Sequence, residues 1–215
     1  MRVAANETRL LMLGAVKLFA PVNGYQIRRE LISWEVEDWA HLRPGSIYSV
    51  LGTLARQGML ARHEVPEGSR HVAVYTLTPA GDGEFRRLFA AAVTAADRSS
   101  PTAFHTAVAL LPLVPRADFL TWLTARIDTI AARRAGAAAR YANAGAVPGH
   151  VAELAGLWER TDAVDESWCR ALRARVAAGE LHFAGERMDW RPDADDPGWQ
   201  MHRDRAHYLR VLNLP

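Results

Sequence analysis

At Gly58 the hydrophobic period of this 215-residue chain changes from 3.6 to 2, which marks a helix followed directly by strands. Ahead of it, Arg43 to Leu60 reads as one compact helix. Pro44 suits the first helical turn, where its missing N–H costs nothing. Ile47, Val50, Leu51 and Leu54 recur at i, i+3, i+4 and i+7 and share one buried face, and Gly58 suits a left-handed C-terminal cap. The opposite face offers Ser46, Ser49, Gly52, Thr53 and Arg56, small or hydrogen-bonding and free of acids. Beyond the switch, Leu60–Val65 and His71–Leu77 are β-rich runs separated by the turn-forming Pro66-Glu67-Gly68-Ser69-Arg70. Tyr75 and Leu77 lie on one strand face, Val72 and Val74 on the other.

The segments before this unit complete a pattern. Residues 6–19 predict a first helix with Asn6 as cap and Leu10, Leu13, Ala15, Val16, Leu18 and Phe19 as a broad apolar face, ended by Pro21. Asn23-Gly24-Tyr25-Gln26 reads as a capping box opening a short helix through Ile27, Leu31 and Ile32. Ser33 to Leu42 is irregular and reads as a turn-like connector packed by Trp34 and Trp39. Two short helices around a connector, the second with a sparse polar face and a hairpin directly after it, form the helix-turn-helix pattern with a wing. Thr78-Pro79 then caps a helix carrying Phe85, Leu88, Phe89, Ala92 and Val93.

Residues 10–89 resemble the DNA-binding domain of the PadR family of transcriptional regulators. The residues that carry the resemblance are Gly24-Tyr25-Gln26-Ile27, Pro44-Gly45-Ser46-Ile47-Tyr48, Leu51, Leu54, Gly58-Met59-Leu60, and Tyr75-Thr76-Leu77-Thr78 with Gly81. Jointly these are fairly specific; each alone is weak. The chain departs from the family at Ser49, where proline is frequent, and at Gly52-Thr53, where bulkier and more charged residues are usual. Both departures bear on which DNA is read.

Ser99-Ser100-Pro101 marks a boundary. Phe104, Ala107, Val108 and Leu111 make the next helix amphipathic, and Pro112 and Pro115 break it. Leu120, Leu123, Ile127 and Ile130 are close to a heptad seam in an alanine- and arginine-rich helix ending near Tyr141. Asn143–Gly149 reads as a loop. A last long helix from about His150 to Ala178 carries Leu154, Leu157, Trp158, Val164, Trp168, Leu172 and Val176 on one side. This succession resembles the helical C-terminal domain of longer PadR-type regulators. The expected fold class is therefore mostly α with a small β-hairpin wing, a winged helix-turn-helix over 1–97 plus a helical dimerisation and effector domain over 98–185. A Trp-, Asp- and Pro-rich tail of unknown role, 186–215, ends in a short helical stretch and does not resemble the family.

Composition narrows the function. The apolar share of 49% excludes wholesale disorder, and the absence of a long apolar run predicts no transmembrane helix. The first residues lack the pattern of a signal peptide, so a cytoplasmic location is expected. The single cysteine, Cys169, excludes an internal disulfide and a cysteine-based zinc site. Of 26 basic residues one is lysine, which reads as coding bias, and the net charge of +2 gives no dominant basic block. Nucleic-acid affinity must then come from local arrangement.

Tyr25, Gln26, Arg43, Ser46, Tyr48 and Ser49 are expected to face DNA, with Thr53 and Arg56 further along and Arg70 and His71 on the wing. The resemblance implies a homodimer, for which Leu120, Leu123, Ile127, Ile130, Leu154, Trp158, Trp168 and Leu172 are the candidate surface; packing within one chain competes for the same stripes. It also allows a pocket for a small aromatic effector near Trp122, Trp158 and Trp168, although core packing suits each of them. Glu153, Glu159, Asp162, Asp165 and Glu166 read as a solvated face. His202 and His207 are five apart, which misses the spacing of paired metal ligands, so no metal site is expected. Without a Gly-rich phosphate loop, nucleophile elbow or paired histidine motif, no cofactor or catalytic site is expected either. The function expected is a sequence-specific DNA-binding transcriptional regulator, a repressor released by a small-molecule effector, with double-stranded operator DNA and a second copy of itself as partners and no membrane. The alternative is a winged-helix protein-interaction module without DNA binding.

Overall fold

The computed structural model describes residues 2–40, 42–98, 101–141, 147–187, 191, 193–196 and 198–214. Helix α1, Arg2–Phe19, buries Leu10, Leu11, Met12, Leu13, Ala15 and Val16. Apolar on nearly every side over that stretch, it can only be a central helix, and it touches elements from both halves of the chain. After the cis Ala20–Pro21 bond come a two-residue strand β1, Val22–Asn23, and helix α2, Gly24–Ser33. The capping box is reciprocal: the Gln26 amide N–H donates to Asn23 Oδ1 at 2.9 Å and the Asn23 amide N–H donates to Gln26 Oε1 at 3.0 Å.

The connector expected to be irregular contains a short helix, α3, Val36–Trp39. It is seated by buried Val36 and by the Trp39 indole N–H, which donates to the Trp34 carbonyl at 2.8 Å. A 3₁₀ turn over Pro44–Ser46 leads into α4, Ile47–Arg56, with Ile47, Leu51 and Leu54 buried. Burying each contributes about 2 kcal/mol. Gly58 takes φ +72°, as a left-handed helix end requires. Strands β2, Leu60–Glu67, and β3, Arg70–Leu77, pair in the register Leu60 to Leu77 and Glu67 to Arg70. The hairpin thus extends further toward its tip than its sequence pattern predicts. β1 adds to the other edge of β3, giving the order β1-β3-β2.

Helix α5, Pro79–Thr94, starts where Thr78 accepts the Gly81 amide N–H and donates its hydroxyl to the Gly58 carbonyl. Then come α6, Thr102–Ala109, a 3₁₀ turn over Leu111–Leu113, α7, Arg116–Tyr141, α8, Gly149–Ala177, and α9, Gly198–Val211. Ser99, Ser100 and most of the loop expected over Asn143–Gly149 lie outside the described residues. No described helix is long and apolar enough to cross a membrane.

Two sequence expectations change. Leu123, Ile127 and Ile130 of the supposed seam are buried within the single chain, and Leu120 is half-buried against the same core. The stripe is consumed by packing between α7, α5 and α8. The acids read as a solvated face are not all solvated: Asp162 and Glu166 are buried. Asp162 receives two hydrogen bonds from Arg133 and two from Arg98, while Glu166 is held by Arg134 and Arg170. Burial, the largest influence, pushes the Asp162 carboxyl up, but the hydrogen bonds and charges of the two arginines overcome it and hold the carboxyl at about 2.

Candidate nucleic-acid interface

The N-terminus of α2, Tyr48 of α4, the wing and α9 surround one cleft of about 840 Å3. Tyr25 stands at its rim, 63% exposed, because it occupies the outward side of the first turn of α2. Tyr48 lies across Gly24: a Cβ at Gly24 would sit 2.8 Å from the Tyr48 ring, so this residue type is required for the ring to lie there. Half of Tyr48 remains exposed. Arg70 and His71, exposed on β3 next to the turn, close the cleft from the wing side, and Arg29 and Glu67 line it as well.

Outside the cleft, Arg43 and Ser49 are exposed at the start of α4. Ser46 donates its hydroxyl to the Arg43 carbonyl at 2.8 Å, which tightens the 3₁₀ turn and leaves its lone pairs outward. Thr53 donates to the Ser49 carbonyl at 2.9 Å and accepts from Arg56 at 2.9 Å. That pair forms a small polar ledge on the second turn. With Gly52 beside it, the exposed side of α4 is low and lets another surface approach closely.

Residues 12–87 match the model of the transcriptional regulator PadR-like family. The winged-helix region is similar to this family over that span. Among solved structures, the crystal structure of Bacillus subtilis PadR in complex with operator DNA is similar at 18% identity, covering 82% of this chain and 98% of that one, with a TM-score of 0.34. No curated protein matches the chain.

One residue of the PadR-like domain departs from its expected place. Gln26 is 3% exposed, and both ends of its side chain are occupied: Oε1 accepts from the Asn23 amide, and Nε2 donates to Asp204 Oδ2 at 2.7 Å. It cannot reach outward while those bonds hold. Asp204 and Gln200, which complete the cleft wall, come from α9, a segment that the sequence reading leaves outside the site. A signal exists in the spacing of Met201, Tyr208 and Leu212, which at helical period marks one inward stripe. The expectation that residues 202–207 are exposed tail fails for Asp204 and His207, which are half-buried.

The three tryptophans considered for an effector separate. Trp122 packs on Phe89 of the core, with ring centroids 5.8 Å apart. Trp168 stands edge-on to Phe104 at 5.8 Å and lines an apolar groove of about 870 Å3 with Val108 and Val164. Trp158 is 42% exposed, with the Arg98 guanidinium over its ring. Of the residues considered for dimer contact, Leu154, Trp158 and Trp168 are exposed on α8, together with Leu157 and Val164, whereas Leu172 is buried.

Proposed function

We propose that this chain is a cytoplasmic, sequence-specific DNA-binding transcriptional regulator, acting as a repressor that a small aromatic effector releases. The observation that carries the reading is the grouping of Tyr25 and Tyr48 with Arg70 and His71 around one cleft of a PadR-like winged helix, with Arg43 and Ser49 exposed at the start of α4. The low face of α4 suits the major groove, where Ser49 and Arg43 would meet base edges or phosphates. Arg70 and His71 would meet the backbone or the adjacent minor groove. With Gln26 committed internally, Tyr25 and Tyr48 carry the α2 side of the contact through their hydroxyls. Such a role requires no catalytic residue.

Half an operator is all that one winged helix covers, so the reading includes a homodimer. Its surface would be the exposed stripe of Leu154, Leu157, Trp158, Val164 and Trp168 on α8, since an apolar patch of that extent is costly in water. Two copies would place recognition helices about 34–36 Å apart, one turn of DNA. The groove beside Trp168 and Phe104 would take the effector, where occupancy shifts the population between DNA-competent and incompetent dimers.

Fluorescence anisotropy against the upstream DNA of the gene, over a range of salt, tests the reading. Preference for that DNA over a scrambled duplex, with a steep salt slope, is expected. Arg43→Ala and Ser49→Ala should each weaken specific binding about tenfold. Equal affinity for both duplexes and no effect of either substitution would favour a protein-interaction module instead.

A further inference from the structure

Helix α9 lies outside the matched region, yet it is fastened to the winged helix at three separate points. Asp204 accepts from Gln26 at 2.7 Å, and Arg205 donates to the Ala20 carbonyl at 2.7 Å. The Tyr208 hydroxyl accepts from Asn23 Nδ2 and donates to Glu67 Oε1, each at 2.9 Å. Tyr208 is 1% exposed, and its ring closes a small apolar cluster with Val65 and Val74 of the wing, with Leu212 packed against it.

These contacts join the start of α2 to the far end of the wing ribbon. Asn23 caps α2, and Glu67 is the last residue of β2 before the wing turn. β1 pairs with β3 only at Tyr75 and Val74. Among the described residues, β3 from Ala73 to Arg70 is paired with β2 alone, and an isolated two-stranded ribbon is marginal in water. The outer face of that ribbon is what Tyr208 covers, and its hydroxyl is what ties the ribbon end to α2.

The helix does not shield the cleft. With α9 in place, Tyr25, Arg43, Tyr48, Arg70 and His71 all stay exposed. Asp204, which contributes a carboxylate to the cleft wall, is occupied by the Gln26 amide. An element that blocked the site would bury those side chains; this one fixes the frame on which they stand.

We propose that Tyr208, assisted by Asp204, is a positioning residue that sets the separation between the wing tip and the N-terminus of α2 before a duplex arrives. The proposal rests on the DNA-binding reading for its consequence, though not for the brace itself. Preset geometry avoids ordering the wing at the moment of binding, so the gain falls on the complex that needs wing and helix in register together. Contacts to phosphates alone carry no sequence information, and a non-specific complex that can slide and re-seat depends less on that spacing.

Tyr208→Phe in the full chain keeps the ring and removes both hydrogen bonds. Amide hydrogen exchange over residues 66–71 of the free protein should rise about tenfold. Affinity for the upstream DNA should fall about tenfold while affinity for a random duplex changes less than about twofold. Glu67→Ala should reproduce the faster exchange and Glu67→Gln, which keeps an acceptor for the hydroxyl, should not. Unchanged exchange in Tyr208→Phe overturns the brace whether or not the protein binds DNA. Faster exchange with equal losses on both duplexes, with no loss, or with tighter binding overturns the positioning role. If the wild-type protein shows no preference for the upstream duplex, the DNA reading fails and the positioning role with it, while the exchange data still decide the brace.

Discussion

A single added carbon shows how closely residues are fitted in this domain. A Cβ at Gly81 would collide with the Met59 carbonyl oxygen, a backbone atom that cannot swing aside. Gly81→Ala should therefore destabilise the protein by about 3 kcal/mol in urea unfolding, at the upper end of overpacking costs. Asp162 is tuned by charge instead. Its folded pKa, about 2, lies below the usual 3.8, so its contribution to stability is complete above about pH 4 and is lost as pH falls toward 2. Asp162→Asn should flatten that part of the acid profile and cost about 2 kcal/mol at neutral pH, because Arg98 and Arg133 lose their shared counter-charge. Cys169 is chemically quiet: burial, aided by the charge of Asp165, pushes its thiol up to about 12. A thiol reagent should leave it unmodified in the native protein and react fully in denaturant.

Among the elements, those with strong local patterns are legible in the amino-acid sequence alone. The period change at Gly58, the Asn23–Gln26 box and the Thr78 cap all arise between near neighbours, and all stand where expected. What stays hidden in the sequence depends on distant partners. Gln26 reads as an outward polar residue because its partner, Asp204, is 178 positions away. β1 is too short to have a period, and α3 is a single turn held by Val36 and one indole bond. The seam at Leu123, Ile127 and Ile130 has the right spacing for either a partner helix or its own core, and periodicity alone does not distinguish them. On α8, where the exposed stripe has no cover among the described residues, Val164→Asp should convert the proposed dimer to monomer by sedimentation or light scattering. It should leave the melting temperature of the monomer within a few degrees, since Val164 is 70% exposed.

Across the whole molecule, one apolar cluster runs from Leu10 of α1 through Phe89 of α5 to Leu123 of α7 and Val176 of α8, so the winged helix and the helical region share a core. Polar contacts secure the same joint. The two carbonyls just past the end of α5 are claimed from the far side: Arg126 donates to Ala95 at 2.8 Å and Arg133 donates to Ala96, and both arginines are held in turn by acids of α8. At its other end, Thr78 fixes the start of α5 to the junction of α4 and the wing. A rigid rod of 16 residues, about 24 Å long, is thereby clamped at both ends. Such a rod behaves as a lever arm. Tilting its arginine-gripped end by about 10° would sweep the base of the wing through about 4 Å at that length, roughly the rise of one base pair. A small rocking of α8 would thus be magnified at the wing and, in the proposed dimer, in the spacing between its two reading heads.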